Sequence, residues 1–286
     1  MSRLADQLAA GQFAITAEIA PPKGCDPSAA LAAARHLGTL AGINVTDNQG
    51  ANMRMSPLAL AALLRQQGFE PIFQLTCRDR NRLALQSDLL GAAALGIDTV
   101  LVLSGDHPRF GDHPAARAVF DLDAVQLLNV VNDLNGGHDM AGKPLQGAPR
   151  FFAGAAVSPA SDPFELMFQK MRKKVATGAR FFQTQAVFDQ AVLRTFMAEA
   201  GHCQVPVLLG VLLLKSAGMA RFVNAHIPGL KVPQNLVDLL DRSSNPLAEG
   251  VAIARDLVQL ARACCQGVHV MTLGRDDLLT DILAGC

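Results

Sequence analysis

The sequence predicts a single (β/α)8 barrel of the α/β class, and two observations support this prediction. Eight short runs of apolar and β-branched residues alternate with helical runs along the 286-residue chain, an order typical of a parallel sheet covered by helices. No shift in composition marks a linker, so residues 1–286 are expected to form one domain. A doubly wound sheet is the alternative fold. It normally carries a Gly-x-Gly-x-x-Gly turn after its first strand, which this sequence lacks, so the barrel is favoured.

The eight predicted strands are apolar runs that stop at residues unfavourable to a sheet. The first, at 13–19, ends at a pair of prolines, which have no amide hydrogen to donate to a neighbouring strand. The fourth, at 99–103, runs without a break to a Ser-Gly-Asp turn, which is typical of a strand buried on both faces. The other six follow the same pattern and cover residues 42–46, 71–76, 151–157, 180–185, 206–212 and 267–273.

Helical runs fill most of the intervals between these strands. Ser28 is a suitable N-cap for an Ala-rich helix that extends to about residue 40, and Pro57 suits the first turn of the next helix. Further helices are predicted at 83–95, 124–132, 164–177 and 276–283, and within 217–263 with turns at 227–229 and 243–246.

The composition excludes several classes of partner. The chain has 25 Lys and Arg against 25 Asp and Glu, with no extended basic run, so neither nucleic acid nor a membrane surface is expected to bind. The longest apolar runs are strand-sized, and the N-terminal segment contains an acidic residue and no long apolar run, so neither a membrane span nor a signal peptide is expected. Six cysteines without Cys-x-x-Cys spacing favour reduced thiols in a cytoplasmic protein; they are Cys25, Cys77, Cys203, Cys264, Cys265 and Cys286. A small-molecule ligand is the remaining expectation.

Polar residues recur where the predicted strands end. In a barrel the carboxyl ends of all strands meet at one face, where an apolar floor and converging polar groups form a ligand site. The residues concerned are Glu18, Thr46, Asp47, Asn48, Gln74, Thr76, Arg78, Asp106, Ser158, Gln185, Lys215 and Ser216.

Two carboxylates and one amide are the strongest candidates among these residues. Glu18 and Asp106 come from different strands, so one can be desolvated into an acid while the other stays ionised. Alternatively, each caps a helix or pairs with Arg78 or Lys23. The Gln185 amide both donates and accepts, as recognition of a heterocycle edge requires, although an ordinary loop hydrogen bond also explains it.

Other polar residues carry weaker signals. The basic cluster at 170–174 is either a solvated helix face or a phosphate site, and position alone does not decide. His107 is interpreted as a loop residue, and the remaining histidines lack metal-ligand spacing.

Several motifs in order along the chain resemble those of the methylenetetrahydrofolate reductases, which are flavin-containing (β/α)8 barrels. The resemblance extends from about Phe13 to the last strand. It depends on the sequences at 17–23, 46–51, 74–79, 103–108, 173–179 and 184–189.

The resemblance implies reduction of 5,10-methylenetetrahydrofolate to 5-methyltetrahydrofolate by a bound flavin, a step of one-carbon metabolism and methionine biosynthesis. Glu18 matches the family's general acid, Asp106 the carboxylate near flavin and pterin, and Gln185 the amide that contacts the pterin. FAD is the expected cofactor, with FMN as the alternative. The positions that match the flavin site are Thr46, Asn48, Gln74, Ser104, Gly105, Asp106, Asp121 and Lys174.

The sequence departs from the family's pattern at four positions, which hold Gln74, Ser104, Val157 and Ala217. Ala217 stands where the family has an aromatic residue that stacks on folate. These departures leave the reductant open between NAD(P)H and a partner protein. Two alternative functions therefore remain: a flavin-bearing subunit of an electron-transfer complex that is inactive with NADH alone, and a folate-binding barrel that transfers methyl groups without redox chemistry. A homo-oligomer is also compatible with the sequence.

Overall fold

The computed structural model describes residues 2–227 and 229–285 and contains a closed barrel of eight parallel strands in sequential order. The predicted (β/α)8 fold is thus confirmed. Met1, Pro228 and Cys286 lie outside the described residues, and with them the middle of the turn predicted at 227–229. The strands are β1 (Ala14–Ile19), β2 (Gly42–Val45), β3 (Pro71–Thr76), β4 (Thr99–Leu103), β5 (Phe152–Val157), β6 (Phe181–Ala186), β7 (Val207–Leu212) and β8 (Gly267–Met271).

Helices surround the barrel, and most lie where the sequence predicts them. The stretch 217–263 forms three separate helices, as its two turns indicate. Two helices, α1 and α7, were not predicted. The helices are α1 (Arg3–Ala9), α2 (Ser28–Leu37), α3 (Pro57–Gln66), α4 (Arg82–Ala94), α5 (Ala124–Asn135), α6 (Phe164–Ala176), α7 (Gln190–Ala200), α8 (Ala217–His226), α9 (Gln234–Arg242), α10 (Pro246–Cys264) and α11 (Leu279–Ile282).

The barrel interior is apolar at its amino end. Buried side chains from alternate positions of the strands meet there, and Leu4 of α1 packs into the same cluster and is fully buried. This helix therefore covers the amino end of the barrel. The cluster consists of Leu4, Ala14, Ala41, Ile72, Leu101, Phe181 and Leu208.

A layer of polar side chains lies above this cluster. His269 is between Val268 and Val270, which pack in the core between strands and helices, so the imidazole is on the inner side of β8. Asn44 has the same relation to Ile43 and Val45 on β2. Strand periodicity thus places the polar residues at the barrel axis, beneath the carboxyl-end loops.

A bulge interrupts the pairing of β6 with β7. Gln183 pairs with Leu208 and Ala186 with Gly210, so β6 has one extra residue over this interval. The Thr184 hydroxyl closes the gap by accepting a hydrogen bond of 2.8 Å from the Gly210 amide and donating one of 2.7 Å to the Gln185 carbonyl. Bulges of this kind bend a strand and change the direction of a side chain.

Among the described residues, no helix is both long and apolar enough to cross a membrane.

Candidate functional site

A cavity of about 570 Å³ opens at the carboxyl end of the barrel. Its volume lies within the usual range for small-molecule and cofactor sites, roughly 300 to 1,000 Å³. The structure places twelve of the sequence-predicted site residues along its wall: Glu18, Asp47, Asn48, Gln74, Thr76, Arg78, Ser104, Gly105, Asp106, Ser158, Lys174 and Gln185. The two carboxylates and the Gln185 amide therefore share one cavity, as convergence of the strand ends requires.

Glu18 lies on the inner side of β1, and its side chain is 9 % exposed. Gln49 donates a hydrogen bond of 3.2 Å to Oε1, and the Nε2 atom of His269 lies 3.5 Å from Oε2. The alternative pairing with Lys23 does not occur, because Lys23 binds Asp112. Glu18 is thus a nearly buried carboxyl that lies beside Gln49 and His269 and lines the cavity.

Asp106 is exposed at the turn that follows β4. The turn requires Gly105, whose φ is +87° and whose absent Cβ would lie 3.0 Å from the Cβ atoms of Arg78 and Thr76. Arg78 donates to the carbonyl oxygen of Asp106 at 3.4 Å, while its guanidinium pairs with Asp79 at 2.7 Å. The alternative pairing of the Asp106 carboxylate with Arg78 is therefore absent, and this charge remains available to a ligand.

Two glutamines of β6, Gln183 and Gln185, line the cavity on either side of Thr184. Gln185 is exposed, as expected for a residue at the rim. Gln183 is only 3 % exposed, and neither its amide nitrogen nor its amide oxygen has a hydrogen-bond partner in the described structure. Buried amides are normally paired, so Gln183 is suited to a ligand that both donates and accepts.

The basic cluster of α6 contributes two cations to the cavity wall, Lys170 and Lys174. The Lys174 ammonium donates a hydrogen bond of 2.8 Å to the Ala156 carbonyl. Burial and the neighbouring Lys170 charge lower the pKa of Lys174 below its ordinary value. A bound anion would reverse this effect, so the position is suited to a phosphate group.

Two residues assigned to the flavin site by resemblance do not line the cavity. Thr46 is buried behind its wall, with a hydroxyl that has no partner. Asp121 accepts hydrogen bonds from the backbone amide and the guanidinium of Arg82 at 2.8–2.9 Å. These bonds lower the pKa of Asp121 to about 2 and hold it as an anchor of the β4–α5 loop. The assignment of these two residues as cofactor ligands is not supported by their positions.

Sequence reasoning missed three polar residues inside the barrel: Asn44, Gln183 and His269. The available signal was a polar side chain within a strand otherwise made largely of apolar residues, although the sequence does not show on which side of the sheet it lies. Metal binding does not account for the polar layer, since the described residues include no cluster of three or more His, Cys, Asp or Glu side chains fit to hold a metal ion.

Comparison with known proteins identifies the family. The family model described as methylenetetrahydrofolate reductase matches residues 3–286, almost the whole chain. The chain belongs to the methylenetetrahydrofolate reductase family. The resemblance of the sequence motifs to this family is thereby confirmed.

One curated relative matches most of this chain at low sequence identity. A Caenorhabditis elegans protein named probable methylenetetrahydrofolate reductase (NADPH) is 22% identical over 231 residues, which are 78% of this chain and 33% of the relative. The chain thus spans about a third of the length of that curated relative.

Two solved structures share the fold with this chain. An uncharacterized Clostridium thermocellum protein, described as binding two copies of 5-methyl-5,6,7,8-tetrahydrofolic acid, has a TM-score of 0.66 at 15% identity, with 98% and 96% of the two chains covered. Tryptophan synthase from M. tuberculosis has a TM-score of 0.55 at 15% identity, with 98% and 91% covered. Both likenesses show the barrel fold alone.

Proposed function

We propose that this protein reduces 5,10-methylenetetrahydrofolate to 5-methyltetrahydrofolate with a bound flavin. The observation that carries the proposal is the presence of Glu18, Asp106 and Gln185 on the wall of one cavity in a member of this family. The folate ligand named for the C. thermocellum structural neighbour supports the substrate class.

The residues of the cavity fit a flavin. Gln183 offers an unpaired buried amide to the pyrimidine edge of the ring system, which has both donors and acceptors. Lys174 and Lys170 offer positive charge to the phosphate of FAD or FMN. Asn48, Gln74, Ser104 and Gly105 complete this side of the cavity. When bound, the flavin supplies the hydride that becomes part of the new methyl group.

The chain's own residues provide the acid, the counter-charge and the orientation. Glu18 protonates the folate nitrogen as the methylene bridge opens to a cationic iminium, and its position on the cavity wall brings the carboxyl to the ligand. Asp106 stabilises the cation because its carboxylate is not neutralised by Arg78. Gln185 orients the pterin by accepting from and donating to its edge.

Replacement of the acid tests this proposal. Glu18→Gln should retain flavin binding, seen in the visible spectrum, but reduce turnover of methylenetetrahydrofolate about a hundredfold or more, the usual size of general acid catalysis. Glu199→Gln, on the exposed face of α7, is the matched control and should leave turnover unchanged. Full turnover by the Glu18 variant would exclude it as the acid, and a purified protein that takes up no flavin would refute the proposed function.

The departures from the family pattern favour a second candidate, a flavin-bearing subunit of an electron-transfer complex. Ala217 is buried at the start of α8 and does not line the cavity, so this position supplies no aromatic ring to the pocket that folate and a nicotinamide donor would share. Turnover with an artificial one-electron donor but not with NADH or NADPH supports this candidate; turnover with NADH or NADPH alone supports the reductase. Absence of flavin bands together with folate binding would instead favour non-redox methyl transfer.

A further inference from the structure

A line of four polar side chains crosses the barrel beneath the cavity, and it ends at Glu18. Gln74 donates from Nε2 to Oδ1 of Asn44 at 3.2 Å. Asn44 Nδ2 lies 3.3 Å from Nδ1 of His269, and His269 Nε2 lies 3.5 Å from the Glu18 carboxyl. The four residues come from four consecutive strands of the closed barrel, which lie in the order β8, β1, β2 and β3.

This line is largely shielded from solvent. Asn44 is fully buried, Gln74 is 8 % exposed, and the His269 side chain is 5 % exposed. Backbone pairing fixes the positions of Glu18, Asn44 and His269 relative to one another. Glu18 is in register with Asn44 on the neighbouring strand, and Thr16 is in register with His269. The side chains therefore have few alternative partners, and an unmade hydrogen bond here is costly.

The orientation of the Asn44 amide determines which nitrogen of His269 carries the proton. Because Asn44 Oδ1 accepts from Gln74, the Asn44 NH2 group faces Nδ1 of the imidazole, and an NH2 group can only donate. Nδ1 must then present its lone pair, which leaves the proton of the neutral ring on Nε2. The Thr16 hydroxyl lies 3.1 Å from Nδ1 and 3.2 Å from the Val268 carbonyl oxygen. In this state its one hydrogen points to Nδ1, whereas donation to the carbonyl would accompany a protonated Nδ1.

We propose that the Gln74–Asn44 pair fixes His269 as the Nε2–H tautomer, so that the imidazole donates to Glu18 and makes His269 a positioning residue for the acid. Gln74 is also part of the cavity wall, so one line of polar contacts connects the ligand site to the acid. The catalytic consequence rests on the proposed function: once Glu18 has given its proton to the folate nitrogen, the Nε2–H group and Gln49 stabilise the carboxylate that remains.

Nitrogen NMR of the full-length protein tests the tautomer without any reaction. Protein labelled with ¹⁵N-histidine is examined at pH 8 by long-range ¹H–¹⁵N correlation of the imidazole rings, and the His269 ring is assigned as the one lost in His269→Gln. We expect an unprotonated Nδ1 and a protonated Nε2. A protonated Nδ1 in the neutral wild-type ring would overturn the proposal, because it means that the Asn44 amide faces the other way.

Asn44→Asp tests the cause of the tautomer. A carboxylate of the same shape can only accept, so it should draw a proton onto Nδ1, whereas exposed His202 should keep its wild-type signals. An Nδ1 signal that is unchanged in a folded Asn44→Asp protein would also overturn the proposal. If this variant does not fold, the wild-type spectrum still decides.

Kinetics then separate the positioning role from the proposed reaction. His269→Gln keeps an N–H donor near the Nε2 position and should retain kcat within a few fold, whereas His269→Leu should lose about tenfold or more in kcat with flavin affinity unchanged. Equal loss in both variants would contradict the positioning role. A wild-type protein that shows the expected tautomer but does not reduce methylenetetrahydrofolate would refute the proposed function and leave the tautomer assignment intact.

Discussion

Gln183 shows how much a single side chain can reveal about an interior cavity. A buried amide without partners costs free energy in the ligand-free protein, about 1–3 kcal/mol, and a fold retains such a group where a ligand satisfies it. Thr99 is similar in one respect, since its buried hydroxyl also lacks a partner, but it does not line the cavity. The two residues therefore form a natural comparison between a binding group and a structural one.

Gln183→Met should stabilise the ligand-free protein yet weaken flavin binding about tenfold, because the variant removes both the unpaired amide and its hydrogen bonds to the ring. Thr99→Val should stabilise the protein without changing the flavin Kd. Unfolding in urea and flavin titration by fluorescence measure the two effects. Unchanged flavin affinity in Gln183→Met would show that the amide does not contact the cofactor.

Lys174 predicts a pH dependence of binding. Burial and Lys170 lower its pKa from the usual value of about 10.4, whereas a bound phosphate favours the ammonium and raises the pKa again. Binding therefore takes up a proton at alkaline pH, and affinity for FMN or FAD should fall as the pH rises through the lowered pKa. Riboflavin, which has no phosphate, should not show this fall.

Lys174→Met should weaken binding of FMN or FAD about tenfold to a hundredfold, the range of a charge-assisted hydrogen bond, with little effect on riboflavin. Lys173→Met is the matched control, since Lys173 is its exposed neighbour outside the cavity wall. Equal losses in the two variants, measured by isothermal titration, would indicate a general charge effect rather than a phosphate contact.

At the level of elements, the bulge of β6 is the feature that places both glutamines along the cavity. Its geometry depends on the Thr184 hydroxyl, which replaces the missing backbone pairing of the Gly210 amide. Gly210 has no room for a side chain, because a Cβ there would lie 2.3 Å from the Thr184 carbonyl oxygen. The two strands thus approach closely at the point where β6 bends.

Thr184→Val keeps the shape of the side chain but leaves the buried Gly210 amide unpaired. It should lower the free energy of unfolding by about 1–3 kcal/mol and weaken folate binding as Gln185 loses its fixed position. Thr184→Ser retains the hydroxyl and should stay close to the wild type in both measurements. A Thr184→Val protein with wild-type stability and folate affinity would show that the bulge does not depend on the Thr184 hydroxyl.

The strands were predictable because each is an apolar run with a clear stop, and the rim residues followed from the strand ends. Glu18 and Gln185 reach the cavity for this reason. The inward direction of His269 and Gln183 was not predictable, since strands buried on both faces show no alternation from which to assign a side. The position of Asp121 outside the cavity wall was not predictable either, because the path of a long loop depends on tertiary contacts, here with Arg82.

The helix α1 was missed for a different reason. Its seven residues are too few for a clear helical period, and helices this short are not stable alone. Its formation depends on burial of Leu4 against the barrel interior, which is a contact of the folded molecule and not of the segment. Tertiary packing rather than local propensity therefore decides this element.

For the whole molecule, closure of the sheet is what turns scattered residues into a site. The polar side chains of the cavity come from positions 18 to 269 and meet only because β8 pairs with β1. The much longer C. elegans relative contains further sequence beyond the matched part.

The plug formed by α1 and the inner cluster has a kinetic consequence. Because apolar side chains fill the amino end of the barrel, ligands enter and leave the described cavity through its opening at the carboxyl face. Under the proposed function, a small reductant and a folate that use the same face of the flavin would then alternate, each departing before the other binds. Double-reciprocal plots of initial rate should give parallel lines, with either reactant in excess inhibiting competitively against the other; intersecting lines would mean that both can occupy the protein at once.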